Sequence, residues 1–290
     1  MDLLLQTKEL IKKTGLRPDK LKGQNFCIDR QVILEMVKTA KISKADTVLE
    51  AGPGFGFLTL ELIQSSGKVI AVELEEKLFK NLKNLESLNK NLIIIHQDVL
   101  RYKIETLKHY KIVANLPYGI SSAFLKKFLT AENKPQSITL LLQREVAERI
   151  CAAAKAMSLL SVSVQLYSCP KIIKTISQKS FYPPPKVESA IIHLDRITGF
   201  PYTEMFSGLT ERQAEKRYWQ VVRAGFCSKR KTLENNLANS FHLPKNKANQ
   251  ALLGAGLNPA VRAQELSLDD WLKLTFKLQS FIDETHSFLI

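Results

Sequence analysis

A strand-like run leads into a glycine-rich turn at Val48-Leu49-Glu50-Ala51-Gly52-Pro53-Gly54-Phe55-Gly56, and a helical pattern follows from Phe57. Glycine lets the main chain approach a ligand closely and adopt conformations that other residues avoid. The next apolar run, residues 69–73, ends on Glu73, whose carboxylate can accept hydrogen bonds from both ribose hydroxyls of a nucleoside. The stretch therefore predicts a strand–turn–helix unit that binds a nucleoside cofactor.

The spacing of the glycines indicates which cofactor this is. A nicotinamide dinucleotide site prefers Gly-x-Gly-x-x-Gly with a helix N-terminus aimed at the pyrophosphate, whereas the spacing here is Gly-x-Gly-x-Gly. Glu50 lies two residues before the first glycine, and an acidic turn suits a ligand with a sulfonium and an amino group. Asp98, beyond the third strand, would bind the adenine amine or cap a helix. We predict Glu50, Gly52, Gly54, Glu73 and Asp98 as cofactor-binding residues.

The surrounding sequence predicts an α/β domain followed by a small all-α domain. Apolar runs alternate with amphipathic helical patterns from residue 47 to 195, as in a parallel sheet covered by helices. The strand candidates are residues 47–50, 69–73, 92–96, 112–115 and 138–143, with 162–167 and 190–194 as antiparallel edge strands. Residues 198–207 are typical of a linker, and 211–290 show helical periodicity alone. We expect domains at 1–197 and 198–290.

A second motif, Asn115-Leu116-Pro117-Tyr118, follows the fourth strand. The exocyclic amine of a base is a poor nucleophile because its lone pair is delocalised into the ring. The Asn115 side-chain oxygen and the Leu116 carbonyl can accept its hydrogens and favour a more pyramidal nitrogen. Pro117 fixes the local φ angle, and Tyr118 offers a face on which a base can stack. The motif predicts amine methylation on a nucleobase.

Charge predicts a polyanionic partner. The 290 residues contain 42 Lys and Arg against 28 Asp and Glu, a formal net charge of +14. A basic arm carries Lys12, Lys13, Arg17, Lys20 and Lys22, and a second basic run spans residues 212–231. Within that run we predict RNA contacts at Arg223, Lys229, Arg230 and Lys231. Such contacts hold phosphates without reading sequence.

Other classes of protein are disfavoured by what the chain lacks. No apolar run approaches the roughly 20 residues that span a bilayer. The N-terminus has no basic leader before its short apolar stretch, and the four cysteines and five histidines are scattered. We expect a cytoplasmic protein that binds neither membrane nor metal, and a monomer, since no long apolar stripe demands a partner.

Together these motifs resemble the bacterial KsgA (RsmA) family of small-subunit ribosomal RNA adenine dimethyltransferases, along nearly the full length of the chain. Three further segments carry the likeness: Gly23-Gln24-Asn25-Phe26, Phe181-Tyr182-Pro183-Pro184-Pro185-Lys186-Val187-Glu188-Ser189, and Phe226-Cys227-Ser228-Lys229-Arg230-Lys231-Thr232-Leu233. The resemblance implies a Rossmann-like class I S-adenosylmethionine-dependent methyltransferase with a helical RNA- and ribosome-binding domain. It implies dimethylation of two adjacent adenines at N6, in a 3′-terminal hairpin loop of 16S ribosomal RNA in the small subunit.

The resemblance also assigns residues. Gln24, Asn25, Cys27 and Asn115 join the predicted contacts to S-adenosylmethionine, and Tyr118 and Phe181 fall where the family stacks the flipped adenine. Three features depart from the family: Cys27 stands where Leu is usual, Lys22 replaces a frequent aromatic residue before Gly23, and residues 154–160 are altered and slightly shortened. We expect that segment to approach the RNA substrate.

Three other functions remain open. An Erm-type enzyme, which methylates large-subunit ribosomal RNA, would share the cofactor site, although Leu116 and residues 229–233 favour the small subunit. A ribosome-assembly factor would act mainly by binding, against which the intact Asn115, Tyr118 and Phe181 argue. A nicotinamide-dependent oxidoreductase is disfavoured by the glycine spacing.

Overall fold

The computed structural model describes residues 2–18, 24–200, 206 and 208–287. Its main-chain contacts divide the chain into two units: residues 1–148 with 168–198, and residues 149–167 with 199–290. Three residues named above, Lys20, Lys22 and Gly23, lie outside the described residues, as do 201–205 and 207 of the predicted linker.

The first unit is built on nine strands. They are β1 (Phe26–Cys27), β2 (Thr47–Ala51), β3 (Lys68–Glu73), β4 (Leu92–His96), β5 (Tyr110–Asn115), β6 (Ile138–Gln143), β7 (Cys169–Ile176), β8 (Phe181–Tyr182) and β9 (Ser189–Asp195). Seven of them form one sheet in the order β4-β3-β2-β5-β6-β9-β7, in which β9 runs antiparallel to both β6 and β7. β1 and β8 form a separate antiparallel ribbon. The five predicted parallel strands are confirmed within two residues, and residues 190–194 are confirmed as an antiparallel strand.

Burial explains why the sequence forms this sheet. β6 is apolar along most of its length because helices cover both faces of a parallel sheet, and its first five residues are all buried. β4, at the edge, alternates buried and exposed residues, so that Ile93 is exposed between buried Leu92 and Ile94. Because β2 to β6 pair in parallel, their carboxyl ends lie at one edge of the sheet, where the loops that follow them meet.

Helices connect the strands of the first unit. They are α1 (Leu3–Thr14), α2 (Arg30–Thr39), α3 (Phe57–Ser65), α4 (Glu76–Leu88) and α5 (Ser121–Thr130), and α6 (Arg144–Ile150) contains the boundary between the units. Asp2 caps the start of α1, with its carboxylate accepting from Leu4 N at 2.8 Å, and Gly15 caps its end with φ of 60°. α3 begins directly after Gly56, as the glycine motif predicts.

The expectation of a strand at residues 162–167 was wrong: α7 (Leu159–Gln165) is a helix. Ser158 caps it, with its side chain accepting from Ser161 N at 3.2 Å, and this capping box outweighs the β-branched Val162 and Val164. The true edge strand is β7, where exposed lysines interrupt the apolar pattern. Residues 149–167, expected in the first domain, belong by their contacts to the helical unit.

The second unit is helical, as expected, with no strand among its described residues. After α7 come α8 (Glu211–Gly225), α9 (Leu233–Phe241), α10 (Lys245–Gly254) and α11 (Leu268–Ser287). Trp271 is fully buried, and a Cβ at position 225 would lie 2.3 Å from its ring, so only glycine allows this packing. Asn236 Nδ2 donates to Gly225 O at 2.7 Å and to Ser228 O at 2.9 Å, which fixes the turn between α8 and α9.

Candidate active site

A cavity of about 560 Å³ opens at the carboxyl ends of β2, β3, β4 and β5. This size is in the usual range for small-molecule sites. Five segments line it, 24–27, 50–55, 72–75, 97–100 and 115–120, together with side chains from α2, α3 and α4. The structure therefore brings together every residue predicted to contact the cofactor, and also Leu116, Pro117 and Tyr118.

The glycine turn forms part of the cavity wall. Gly52, Gly54 and Gly56 have φ of 66°, 61° and 88°, in the left-handed region that favours glycine. A Cβ at position 54 would lie 3.2 Å from Phe26 Cδ1, so the turn also needs glycine for close approach to the N-terminal segment. The pattern read from the sequence thus has a conformational cause.

Glu73 is anchored by main-chain donors. Gly54 N donates to its Oε2 at 3.1 Å and Glu75 N to its Oε1 at 2.9 Å. Burial raises the pKa of this carboxyl, and hydrogen bonds from the main chain oppose the rise. The carboxylate is therefore held in one orientation at the end of β3, beside the glycine turn.

Glu50 is the most deeply buried acid of the site, with 1 % of its surface exposed. Burial raises its pKa to about 8; the nearby Thr59 hydroxyl opposes the rise, without reaching hydrogen-bond geometry, and the charge of Glu73 adds to it. Among the described residues its Oε2 has no hydrogen-bond partner. A buried polar atom without a partner is costly, so this oxygen indicates a place for a ligand's donor.

Asp98 caps a turn and not a helix, and its binding of an adenine amine stays a prediction. Its Oδ1 accepts from Leu100 N at 2.8 Å, which caps the short turn after β4. The residue also lines the cavity, together with Gln97, Val99 and Leu100.

The motif after β5 is held from several sides. Asn115 Nδ2 donates to Asn25 O at 3.2 Å, which leaves the side-chain Oδ1 as the acceptor for a substrate. Leu116 N donates to Leu141 O at 3.1 Å, and Pro117 has φ of −56°. The Tyr118 hydroxyl is hydrogen-bonded to Ser189 Oγ at 3.0 Å, across to the start of β9.

The ribbon of β1 and β8 joins the N-terminal segment to the loop at residues 181–189, called the late loop below. Cys27 pairs with Phe181, and Phe26 pairs with Tyr182. Cys27 lines the cavity, and burial raises the pKa of its thiol to about 12, so it stays protonated and unreactive at neutral pH. Phe181 does not line the cavity: its ring is 3 % exposed and packs in the core with Cys27, Ile176 and Ile191.

The predicted RNA contacts lie in the second unit. Arg223 is on α8, and Lys229, Arg230 and Lys231 are on the turn before α9. All four side chains are exposed, and no ion pair involves them among the described residues. Their charge is therefore available to solvent or to a ligand.

Several residues that shape the cavity gave no signal in the sequence. Ile33 and Met36 reach it from α2, Leu78 reaches it from α4, and Leu74 is the residue directly after β3. Their apolar character matches ordinary core positions. Gln97 is the exception: it directly follows β4, and this place at a strand end could have identified it as a lining residue.

Neither a membrane-crossing helix nor a metal cluster is found where the structure is described. No helix there has the length and apolarity to cross a bilayer, and no three His, Cys, Asp or Glu side chains are grouped to hold a metal ion. The expectation that the enzyme uses no metal stays a prediction.

Comparison with known sequences gives a consistent family. The family model described as ribosomal RNA adenine dimethylase matches residues 18–280. Ribosomal RNA small subunit methyltransferase A of Dehalococcoides mccartyi is 40 % identical over 94 % of this chain and 92 % of its own. The protein of the same name from Clostridium botulinum is 37 % identical over 93 % of this chain and 98 % of its own.

Solved structures show the same fold. The 23S rRNA methyltransferase ErmE is similar with a TM-score of 0.69 and 27 % identity, over 88 % of this chain and all of its own. A dimethyladenosine transferase from Plasmodium falciparum has a TM-score of 0.73 and 24 % identity, over 87 % of this chain and 96 % of its own. The latter likeness concerns the fold alone.

Proposed function

Because this chain belongs to the ribosomal RNA adenine dimethylase family, we propose that it dimethylates N6 of two adjacent adenines in a 3′-terminal hairpin loop of 16S ribosomal RNA. The family and the fold make it an S-adenosylmethionine-dependent rRNA adenine dimethyltransferase. The observation that carries the site is the convergence of Glu50, Glu73, Asp98 and Asn115 on one cavity. The enzyme's substrate in this proposal is the small ribosomal subunit. The protein acts in the cytoplasm as a monomer.

The residues of the cavity fit S-adenosylmethionine. Glu73, held by two main-chain donors at the strand end, matches the ribose hydroxyls, and Asp98 matches the adenine amine. The buried Glu50 Oε2, without a partner in the described structure, suits the cationic end of the ligand. Gln24, Asn25 and Cys27 line the cavity from the N-terminal segment, and Gly52 and Gly54 line it from the glycine turn. When bound, the cofactor supplies an activated methyl group on a sulfonium.

The protein's own contribution is to position the attacking nitrogen. The Asn115 Oδ1 and the Leu116 carbonyl accept the hydrogens of the adenine amine, and the bond from Asn115 Nδ2 to Asn25 O fixes the amide in the needed orientation. A strong general base is not required, because the amine loses its proton readily once it is alkylated. The adenine must leave its stack to reach this site, which favours a single-stranded loop.

Tyr118 is the stacking face in this proposal. Its hydroxyl is held by Ser189, so the ring has a fixed orientation beside the amine acceptors. Phe181 was expected as the second face. Since its ring lies in the core, stacking on the adenine would require the late loop to rearrange.

The test is transfer of labelled methyl from S-adenosylmethionine into isolated, unmethylated small and large ribosomal subunits. We expect label in the small subunit, recovered as N6,N6-dimethyladenosine. Asn115→Ala removes an acceptor that acts on the reacting amine, so we expect the rate to fall about 100-fold or more. Asn84→Ala, an exposed asparagine on α4, is the matched control and keeps the wild-type rate.

The other outcomes are equally informative. Label found only in the large subunit would identify an Erm-type enzyme. Binding of the small subunit without label in either would make the protein an assembly factor. Full activity in Asn115→Ala would contradict the assignment of the site.

A further inference from the structure

The turn that carries Asp98 has few internal bonds. Residues 98–102 follow β4, and the main-chain bonds within them run from Arg101 N to Asp98 O, at 2.9 Å, and from Tyr102 N to Val99 O, at 3.3 Å. No helix continues from this turn, so carbonyl groups such as Leu100 O and Tyr102 O have no main-chain donor within it and need partners from elsewhere. The place of the Asp98 carboxylate at the cavity therefore depends on what holds the turn.

Lys127, on α5, supplies those partners. Its Nζ donates to Val99 O at 3.1 Å, to Leu100 O at 3.0 Å and to Tyr102 O. An ammonium group has three N–H donors, and here three carbonyl acceptors of one turn match them. Hydrogen bonds from a charged donor are about twice as strong as those between neutral groups.

The position of Lys127 is set by the core. The adjacent Phe128 is fully buried, and the Lys127 ammonium lies 5.6 Å from the centroid of its ring. Burial lowers the pKa of Lys127, and the negative charges of Glu105 and Asp98 oppose this, so Asp98 is close enough to interact with the ammonium electrostatically. The neighbouring Lys126 is exposed.

We infer that Lys127 is a positioning residue of the cofactor site: it holds the 98–102 turn so that the Asp98 carboxylate meets the adenine amine of the cofactor. This rests on the function proposed above. α5 begins three residues after Tyr118, so the helix that carries Lys127 directly follows the segment that carries the amine-binding motif.

The test compares two ligands by calorimetric titration: S-adenosylhomocysteine, and S-inosylhomocysteine, which lacks the exocyclic amine that Asp98 would bind. Lys127→Met keeps the apolar stem and removes the charge. We expect it to weaken S-adenosylhomocysteine binding about tenfold and S-inosylhomocysteine binding less than twofold. Lys126→Met, one residue away on the same helix, leaves both affinities unchanged.

The difference between the two ligands separates positioning from general loosening. Equal weakening for both would show that Lys127 acts on stability alone, and unchanged affinity for both would show that it does not hold the turn in place; either result overturns the inference. If Lys127→Met does not fold, Lys127→Gln, which keeps an N–H donor, is subject to the same two-ligand criterion with an expected loss of about threefold.

Failure of the function is distinguishable. Wild-type protein that binds neither ligand would contradict the proposed cofactor site, whereas wild-type binding with an indifferent Lys127 contradicts only the positioning role. Steady-state kinetics give a second readout, since the effect should fall on KM for S-adenosylmethionine more than on kcat.

Discussion

At the scale of the residue, the raised pKa of the buried Glu50 carboxyl predicts that the stability of the fold depends on pH. The ordinary pKa of a glutamate is 4.5, and burial raises that of Glu50 to about 8 in the folded protein. Between these values the folded state holds one proton more than the unfolded state. The free energy of unfolding therefore falls as pH rises through this window, and the stabilising contribution is complete only below the lower value.

Between pH 5 and pH 8, we expect the free energy of unfolding to fall less in Glu50→Gln than in the wild type. The difference should reach a few kcal/mol, since each pH unit in the window contributes about 1.4 kcal/mol. Urea denaturation at the two pH values, followed by circular dichroism, measures this difference. Tryptophan fluorescence would not serve, because Glu50 lies in the first unit and both tryptophans lie in the second. Glu132→Gln, which changes an exposed carboxylate, should follow the wild type. Parallel losses in wild type and Glu50→Gln would contradict the raised pKa.

The residues that the sequence reveals are those whose neighbours in the chain already form a motif. Glu50, Gly54 and Asn115 each sit within a few residues of the feature that identifies them. Lys127 and Ser189 act on the site from a helix and a strand remote in the chain, and a lysine on a helix or a serine at a strand end has many ordinary explanations. Only the folded structure shows that these side chains reach the turn and the tyrosine.

At the scale of the element, the glycine turn is the part that tolerates least change. Its conformation at Gly54 is left-handed, and its Cα faces the Phe26 ring. A side chain there meets both a conformational cost of about 1–2 kcal/mol and a steric one. The turn also donates the hydrogen bond that orients Glu73.

We therefore expect Gly54→Ala to weaken S-adenosylhomocysteine binding about tenfold and to lower the melting temperature. The control is Gly256→Ala, in the second unit, which has φ of 77° but open space around the added methyl. It should carry the conformational cost without affecting cofactor affinity. Equal affinities in Gly54→Ala and wild type would show that the turn does not support the ligand.

Local pattern predicted most elements but not all. The parallel strands were located within two residues. A strand buried on both faces, such as β6, needs a continuous apolar run, and such a run is easy to recognise in the sequence. α7 and β7 were the exceptions. In α7 a serine cap outweighs the β-branched residues, and in β7 the exposed edge of the sheet admits lysines that mask the strand. Capping and edge position both depend on neighbours that periodicity does not show.

At the scale of the whole molecule, positive charge is the main feature, and it was predictable from composition alone. The exposed Arg230 and Lys231 lie on the turn that Asn236 fixes, within the helical unit. The number of basic residues does not show which of them contact RNA, since any exposed lysine contributes to net charge. The assignment of these residues to RNA stays a prediction.

Charge reversal at Arg230 and Lys231 tests it. We expect the double variant to lower affinity for small-subunit RNA about tenfold or more and to flatten its salt dependence, because phosphate contacts release counterions. Cofactor affinity should not change. Reversal of the exposed Lys90 and Lys108 in the first unit gives the same net charge and serves as the control. Equal losses in the two variants would indicate net charge instead of a local contact.

The ribbon of β1 and β8 has a consequence for the order in which the chain folds. It pairs only two residues on each strand, Phe26–Cys27 with Phe181–Tyr182, from segments far apart in the chain. So short a pair cannot form in isolation, and its closure needs the intervening sheet to be in place. The N-terminal segment at residues 24–27 and the loop at residues 181–189 should therefore join last. The seven-stranded sheet would fold first, and the enzyme would become active only when the β1–β8 ribbon closes.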